Sequence, residues 1–241
     1  MAMNKLRIGI IDSGVTGTFK PSQYTQRGFY WDKNTLYQKT SSGDALGHGS
    51  ALVESILLHA PKVKIVMAQV FHQKLVTTPA QIAAAIDWLI SEKVSVINMS
   101  FGLPSDREVI RLACQKAATA NIVLVASSPA RGQAVYPATY PEVLSVTGDA
   151  RCAQNEFSWL NTQQVDFGAY VKSSNQQVVG ASVGCAHVTG HIANFLQHSP
   201  YFERSEMLEW LKEKAKYWGA ENRFELKKKS TKPLNKDMIF K

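Results

Sequence analysis

The sequence of 241 residues carries 27 Lys and Arg against 19 Asp and Glu, a formal net charge of +8, with 45% hydrophobic and 19% charged residues. This composition is that of an ordinary globular protein of one domain or at most two. No apolar stretch approaches the ~20 residues needed to cross a bilayer, which excludes a membrane-spanning chain. The first strand-like run begins at Leu6 and leaves no room for a signal peptide, so we expect a cytoplasmic protein.

The positive charge is concentrated near the C-terminus, around "ELKKKSTKPLNKD" (225–237). Such a segment could bind an anionic partner or remain a solvated tail. No aromatic stacking pattern accompanies the lysines, so we expect a solvated tail and no nucleic-acid partner. We place one folded domain at 1–218 and a loosely packed basic tail, part of the same chain, at 219–241.

The cysteines are sparse and show no C-x-x-C spacing, which argues against both a disulfide framework and a zinc ribbon. They are Cys114, Cys152 and Cys185. We expect three buried, reduced thiols, as is usual in a cytoplasmic protein.

The predicted elements alternate between strand and helix along the first two thirds of the chain. Continuous apolar runs predict buried parallel strands at 7–12, 64–70, 94–100, 121–127 and 143–148. Helical patterns follow at 49–60, 78–93 and 106–120, the second with Thr78 as its cap. Beyond Gly148, a short strand within 164–171 precedes helices at 182–198 and 204–218. This alternation predicts an α/β fold with a mainly parallel central sheet and helices on both faces.

Three polar residues lie at the ends or starts of these elements. Asp12 closes the first strand, His48 opens the first helix between glycines, and Ser182 opens the helix at 182–198. Each has a structural explanation when taken singly: a turn aspartate, a loop histidine and a helix-capping serine. In α/β sheets, however, sites form at the carboxyl ends of the strands, where Asp12 is expected to lie.

The segments around these residues resemble the motifs of the subtilisin-like serine proteases, the subtilases. "GIIDSGV" is similar to the family's aspartate motif, "GHGSALVESI" to its histidine motif and "GASVGCAHVTG" to its serine motif. "VINMSFGLP" and "YPATYPEVLSVTG" resemble two further family segments, and the five occur in the family's order. The resemblance implies a three-layer subtilisin-like fold and a serine endopeptidase.

The resemblance also implies roles for individual residues. Ser182 would be the nucleophile, His48 the base that takes its proton, and Asp12 the group that orients the imidazole. A peptide or protein substrate would pair as an added strand with the edge at Ser100, Phe101 and Gly102. The primary specificity pocket beside that edge would be lined by Ser127, Ser128 and Pro129.

The match fails where the family completes its oxyanion hole. Alignment of "VASSPARG" (125–132) with the family segment places Ala130 at the usual asparagine, and Ala181 replaces the threonine before the serine. The backbone N–H of Ser182 remains as a donor. Loss of one side-chain donor costs about 10²–10³ in rate. A second donor could come from one of four nearby residues: Ser127, Ser128, Asn98 or Arg131.

Other residues in and after the serine motif have structural explanations that require neither metal binding nor catalysis. His187, His191 and His198 follow one helix, and His-x-x-x-His can bind zinc, but no glutamate adjoins the first histidine. Cys185 lies one turn after Ser182, where a small buried thiol would fill a helix interface. Calcium loops typical of secreted subtilisins are not recognisable, so we expect no metal and no cofactor.

The sequence therefore predicts a compact cytoplasmic serine endopeptidase that processes a narrow target, for example a precursor or leader peptide. Two alternatives remain open. The incomplete oxyanion hole is compatible with a catalytically impaired subtilase that binds peptides as a regulatory module. Interception of the acyl-enzyme by an amine would instead make the protein a transpeptidase or macrocyclase.

Overall fold

The computed structural model describes residues 5–17, 19–174, 176–199 and 201–221. Its strands are β1 (Arg7–Asp12), β2 (Tyr24–Asp32), β3 (Thr35–Lys39), β4 (Lys64–Gln69), β5 (Val96–Met99), β6 (Val123–Ser127), β7 (Val143–Gly148), β8 (Phe157–Trp159), β9 (Phe167–Ala169) and β10 (Tyr217–Trp218). The α-helices are α1 (His48–His59), α2 (Pro79–Ser91), α3 (Glu108–Thr119), α4 (Ala181–His198) and α5 (Arg204–Lys214). A short 3₁₀ turn (Pro21–Gln23) precedes β2.

The strands of the described chain form one sheet in the order β10-β8-β9-β7-β6-β5-β1-β4-β2-β3. The pairs β2–β3 and β8–β9 are antiparallel, and the other neighbours are parallel. The central strands β1, β5, β6 and β7 run in the same direction, so their carboxyl ends share one edge of the sheet. This edge carries the polar residues singled out in the sequence.

Helices cover both faces of the sheet, which confirms the predicted three-layer α/β architecture. One apolar cluster joins the sheet to α1, α4 and α5, with Leu52, Ile56, Val188 and Met207 among its buried members. A second cluster joins the opposite face to α2 and α3, with Ile86 and Ile110 buried in it. Burial on both faces explains why the central strands are continuous apolar runs.

The last predicted helix is too long. α5 ends at Lys214, and Ala215 adopts an extended conformation. The N–H of Lys216 then donates to the carbonyl of Phe157, and β10 pairs with β8. Trp218 packs edge-on against Trp159, with ring centroids 4.8 Å apart. Sheet pairing with a distant strand therefore overrides the local helical pattern.

The hairpin β2–β3 extends the sheet in a region for which the sequence pattern predicted no element. Its strands are half-exposed, so they lack a continuous apolar run. The stacked rings of Tyr30 and Tyr37, with centroids 5.5 Å apart, join the two strands. Most of the predicted basic tail lies beyond residue 221 and outside the described residues. No helix in the described ranges is long and apolar enough to span a membrane.

Candidate active site

Asp12 and His48 meet at the carboxyl end of β1. Asp12 is the last, fully buried residue of that strand, and His48 is the first residue of α1. The Nδ1 atom of His48 lies 2.8 Å from Oδ1 of Asp12. Because a carboxylate only accepts, this contact places the proton on Nδ1 and leaves Nε2 as the basic nitrogen of the neutral ring.

The charge around His48 favours its protonated form. Burial alone lowers the pKa of His48, but the hydrogen bond and charge of Asp12 and the charge of Asp44 outweigh this effect, and the net pKa is raised. An imidazolium that forms here when the ring takes a proton is therefore stabilised by the two carboxylates.

Ser13 and Asp44 support this pair, and neither was recognised in the sequence. The hydroxyl of Ser13 lies 3.0 Å from Oδ1 of Asp12 and 2.8 Å from Oδ1 of Asp44, and it accepts the N–H of Gly49 at 2.9 Å. Asp44 also accepts backbone N–H groups of Gly47 and Ser50, at 2.9 and 2.8 Å. The position of Asp44, shortly before the start of a helix, is the signal that could have identified it as a capping residue.

Ser182 lies in the first turn of α4, and its predicted role as the helix cap is wrong. Gly180 is the N-cap, with a φ of 99° that is accessible to glycine but strained for other residues. The hydroxyl of Ser182 instead donates to the carbonyl of Ser100 at 3.1 Å. The hydroxyl of Ser100 in turn lies 3.1 Å from the carbonyl of Ser182.

These contacts bring the three predicted residues to one edge of the sheet. β1 and β5 are neighbours, with Ile11 opposite Met99, so Asp12 lies beside the segment that begins at Ser100. The charge of Asp12 also acts on Cys185, which is on the same helix as Ser182. In this structure the Ser182 hydroxyl donates to the carbonyl of Ser100, so proton transfer to His48 requires the O–H bond to turn away from that carbonyl.

The family profile that matches this chain decides its classification. The profile is that of the subtilase family, and it matches residues 4–236. The chain belongs to the subtilase family. Its members are serine endopeptidases, and the chain shares this general activity.

Individual subtilases are distant relatives of this chain. It is 24% identical over 225 residues to subtilisin DY of Bacillus licheniformis, an alignment that covers 84% of this chain and 80% of the relative. It is 31% identical over 156 residues to subtilisin-like protease het-Q2 of Podospora anserina, covering 61% of this chain and 41% of that protein. Among solved structures, the S41 psychrophilic protease superposes with a TM-score of 0.68 at 19% identity, covering 86% and 82% of the two chains.

The edge that the subtilase resemblance assigns to substrate is open. Phe101 and Gly102 form no backbone hydrogen bond with the described residues, whereas Leu103 pairs in both directions with Tyr136. The ring of Phe101 contacts Phe71 edge-on, at 5.9 Å between centroids. Two successive residues with free N–H and C=O groups can pair with an extended peptide.

Val135 narrows the space beside this edge. A Cβ atom built on Gly102 would lie only 2.8 Å from Cγ2 of Val135. Ser127 and Ser128, on the facing segment, are 7% and 2% exposed. The space beside Gly102 is therefore restricted by Val135.

The candidates for a second oxyanion donor differ in availability. The Asn98 amide donates to Cys185 Sγ at 3.1 Å and Thr189 Oγ1 at 2.9 Å, beneath α4. The Ser128 N–H donates to Val146, and its hydroxyl lies 3.4 Å from the Pro129 carbonyl. Ala130 is exposed and has no side-chain donor. The Ser182 N–H, in the first turn of α4, is free of intrahelical bonds.

In α4, Cys185 and His187 are buried in the core and His191 is half-buried. His187 and His191 face His59 of α1, while the exposed His198 donates to the carbonyl of Asn194. In the described part of the chain, no group of three or more His, Cys, Asp or Glu residues is placed to bind a metal ion. Burial raises the pKa of the Cys185 thiol to about 12, which makes it a poor nucleophile.

Proposed function

We propose that this subtilase cleaves peptides through Ser182, with His48 as the general base and Asp12 as the residue that orients it. The observation that carries this assignment is the 2.8 Å contact between Nδ1 of His48 and Oδ1 of Asp12. It fixes the imidazole tautomer in which Nε2 is free to accept a proton.

The reaction proceeds in two halves. Ser182 Oγ attacks the substrate carbonyl carbon while its proton passes to His48 Nε2, and the carbonyl electron pair moves onto oxygen. Collapse of this intermediate breaks the C–N bond, and His48 returns the proton to the departing amine. Water then attacks the acyl-enzyme by the same route and releases the new carboxyl end.

Substrate binding itself prepares the nucleophile. The carbonyl of Ser100, which accepts the Ser182 hydroxyl at 3.1 Å, belongs to the edge assigned to substrate. A peptide that adds to this edge offers its own backbone N–H groups to the carbonyls. Competition for the Ser100 carbonyl releases the hydroxyl of Ser182 to turn to His48.

We propose a processing enzyme with a narrow target, such as a precursor or leader peptide, rather than a general degradative protease. The restricted space at Val135 and the alanine at position 130 support this proposal. An enzyme with a weak oxyanion hole depends on binding energy from remote parts of its substrate. Three buried free thiols, at Cys114, Cys152 and Cys185, support a cytoplasmic location.

A second candidate is a peptide-binding module that has lost catalysis. Ala130 and Ala181, in place of the two side-chain donors typical of the family, favour it. A fluorophosphonate probe distinguishes the two functions because it reacts only with an activated serine. We expect labelling of the wild-type protein and none of Ser182→Ala. A folded wild-type protein that resists the probe would establish the binding module instead.

The narrow target is tested with precursor peptides of ribosomally made products and with unstructured casein as a general substrate. We expect cleavage of one precursor at a single position, read by mass spectrometry, at more than about tenfold the kcat/KM for casein. Efficient casein degradation would contradict the processing role. Products joined to an added amine would identify a transpeptidase.

A further inference from the structure

The oxyanion hole of this protein lacks the side-chain donor that the family places at position 130. Two of the four candidate replacements are already engaged. The amide of Asn98 donates to Cys185 and Thr189, and Ser128 donates its N–H to the carbonyl of Val146 and its hydroxyl to the carbonyl of Pro129. Ser127 and Arg131 remain.

Arg131 combines a free guanidinium with an anchored backbone. It is exposed, and none of the described residues forms a hydrogen bond or ion pair with it. The loop that carries it is fastened by Gln164, whose Nε2 donates to the carbonyl of Pro129 at 2.9 Å. The anchored backbone limits where the guanidinium can reach, although the side chain itself must be ordered when an anion forms nearby.

The side chain of Arg131 lines a cavity of about 350 Å³ together with Thr147 and Gly148, at the carboxyl end of β7. The start of α4 packs on these same two residues. A Cβ atom on Gly184 would lie 2.4 Å from the carbonyl oxygen of Thr147, and one on Gly148 would lie 3.2 Å from the carbonyl carbon of Gly180. Thr147 and Gly148 therefore lie between the cavity and the turn that carries Ser182.

The other arginine of this cavity is not available. Arg151 forms a bidentate pair with Asp149, with contacts of 2.8 to 3.2 Å, and donates to the carbonyl of Gly219. This pairing also occupies the carboxylate of Asp149, which consequently does not neutralise Arg131. Glu221 also lines the cavity, so its described residues carry two arginines and two carboxylates.

We propose that the guanidinium of Arg131 donates to the oxyanion of the tetrahedral intermediate and replaces the family's asparagine. This inference rests on the proposed function of Ser182. When the Ser182 Oγ–C bond forms, the oxygen receives the electron pair of the former C=O double bond. That oxygen accepts the backbone N–H of Ser182 and one N–H of Arg131 until collapse breaks the C–N bond. A guanidinium stays protonated throughout the working pH range, and a charged donor forms a stronger hydrogen bond than an amide.

The test compares Arg131→Ala and Arg131→Lys with Ser127→Ala, which removes the competing hydroxyl. Arg111→Ala, which removes a half-exposed arginine of α3 that pairs with Asp106, is the control variant. With the peptide cleaved by the wild type, we expect Arg131→Ala to lower kcat by about 10²–10³ with little change in KM. Arg131→Lys should retain part of the rate, and guanidinium ion should partly rescue Arg131→Ala.

Two further measurements separate transition-state stabilisation from binding of a substrate side chain. Inhibition by a peptide aldehyde, whose adduct with serine carries the same oxygen, should weaken in Arg131→Ala in parallel with kcat. Affinity for the uncleaved peptide, measured in a Ser182→Ala background, should not change. Unchanged kcat in Arg131→Ala, a large loss in Ser127→Ala alone, or a loss confined to peptide affinity each overturns the inference.

The outcome is separable from that of the proposed function. If the wild-type protein neither reacts with the fluorophosphonate nor cleaves peptides, the assignment of Ser182 fails and the oxyanion donor fails with it. If the wild-type protein reacts and cleaves while Arg131→Ala does so equally well, the role of Arg131 alone is refuted.

Discussion

The buried histidines between α1 and α4 predict an acid-sensitive fold. Nε2 of His59 lies 2.8 Å from Nδ1 of His187, and the ring of His191 lies 4.0 Å from that of His59, centroid to centroid. Phe157 covers His191 at 4.6 Å. The Nε2 atoms of His187 and His191 are buried without a hydrogen-bond partner in the described chain. A proton added to this cluster meets no opposite charge.

These surroundings disfavour the charged rings. Burial, followed by the neighbouring imidazoles, lowers the pKa of His59 to about 3. Burial likewise lowers the pKa of His187 and of His191 to about 4. In the unfolded chain each imidazole has a pKa of about 6.5. The unfolded state therefore binds more protons below this pH, and the stability present above it is lost as the pH falls.

The loss can be worked out for pH 5. Each histidine contributes about 1.4 kcal/mol per pH unit below 6.5, or about 2 kcal/mol at pH 5. The three together reach about 6 kcal/mol, and partial exposure of His59 reduces the sum to about 4–5 kcal/mol. The raised pKa of His48 acts in the opposite direction and offsets part of this loss. Against a typical stability of about 5–15 kcal/mol, the expected loss is large.

Urea unfolding between pH 8 and pH 5 measures this loss as a fall in the midpoint concentration. His191→Leu keeps a similar volume and removes one titrating ring, so the midpoint should fall by about one third less than in the wild type. His198→Gln, at an exposed position of the same helix, should behave as the wild type does. A stability that stays constant from pH 7 to pH 5, or an equal fall in His191→Leu, would refute the reasoning.

Three further predictions concern activity. The acid limb of kcat/KM should titrate above pH 6.5, because His48 must be neutral to accept a proton and its pKa is raised; a limb below that value contradicts the assignment. Asp44→Asn should move this limb to lower pH by removing a negative charge beside His48, whereas the exposed Asp87→Asn should leave it in place. Val135→Gly should open the space beside Gly102 and favour a large residue before the scissile bond. The ratio of kcat/KM for peptides with Phe to that for peptides with Ala at this position should rise by about tenfold. An unchanged ratio would show that Val135 does not limit the pocket.

The architecture was within reach of the sequence, and the proposed site residues were named from its motifs. Strands buried on both faces are continuous apolar runs, and β1 and β7 begin and end where these runs do. The spacing of Asp12, His48 and Ser182 within local motifs placed all three at one edge of a parallel sheet. These strands and motifs could be predicted because each depends on residues that are close together in the chain.

Contacts between segments that are distant in the chain could not be predicted from the sequence. The helical pattern at 204–218 breaks at Lys214 because Tyr217 and Trp218 pair with β8. The half-exposed hairpin β2–β3 is stabilised by side chains that face each other only after pairing. Asp44 could have been recognised as a cap, but its interaction with Ser13 joins residues 31 positions apart.

The sequence by itself determined that this protein is an α/β subtilase, because periodicity encodes the architecture and local motifs encode the family. Only the tertiary structure decided how these groups are engaged. It turned the Ser182 hydroxyl to the carbonyl of Ser100, committed the Asn98 amide to Thr189 beneath α4, and left Arg131 at a cavity beyond the carboxyl end of β7. Side-chain hydrogen bonds form between groups that folding brings together from distant parts of the chain, so the pattern of one strand or helix does not predict their partners.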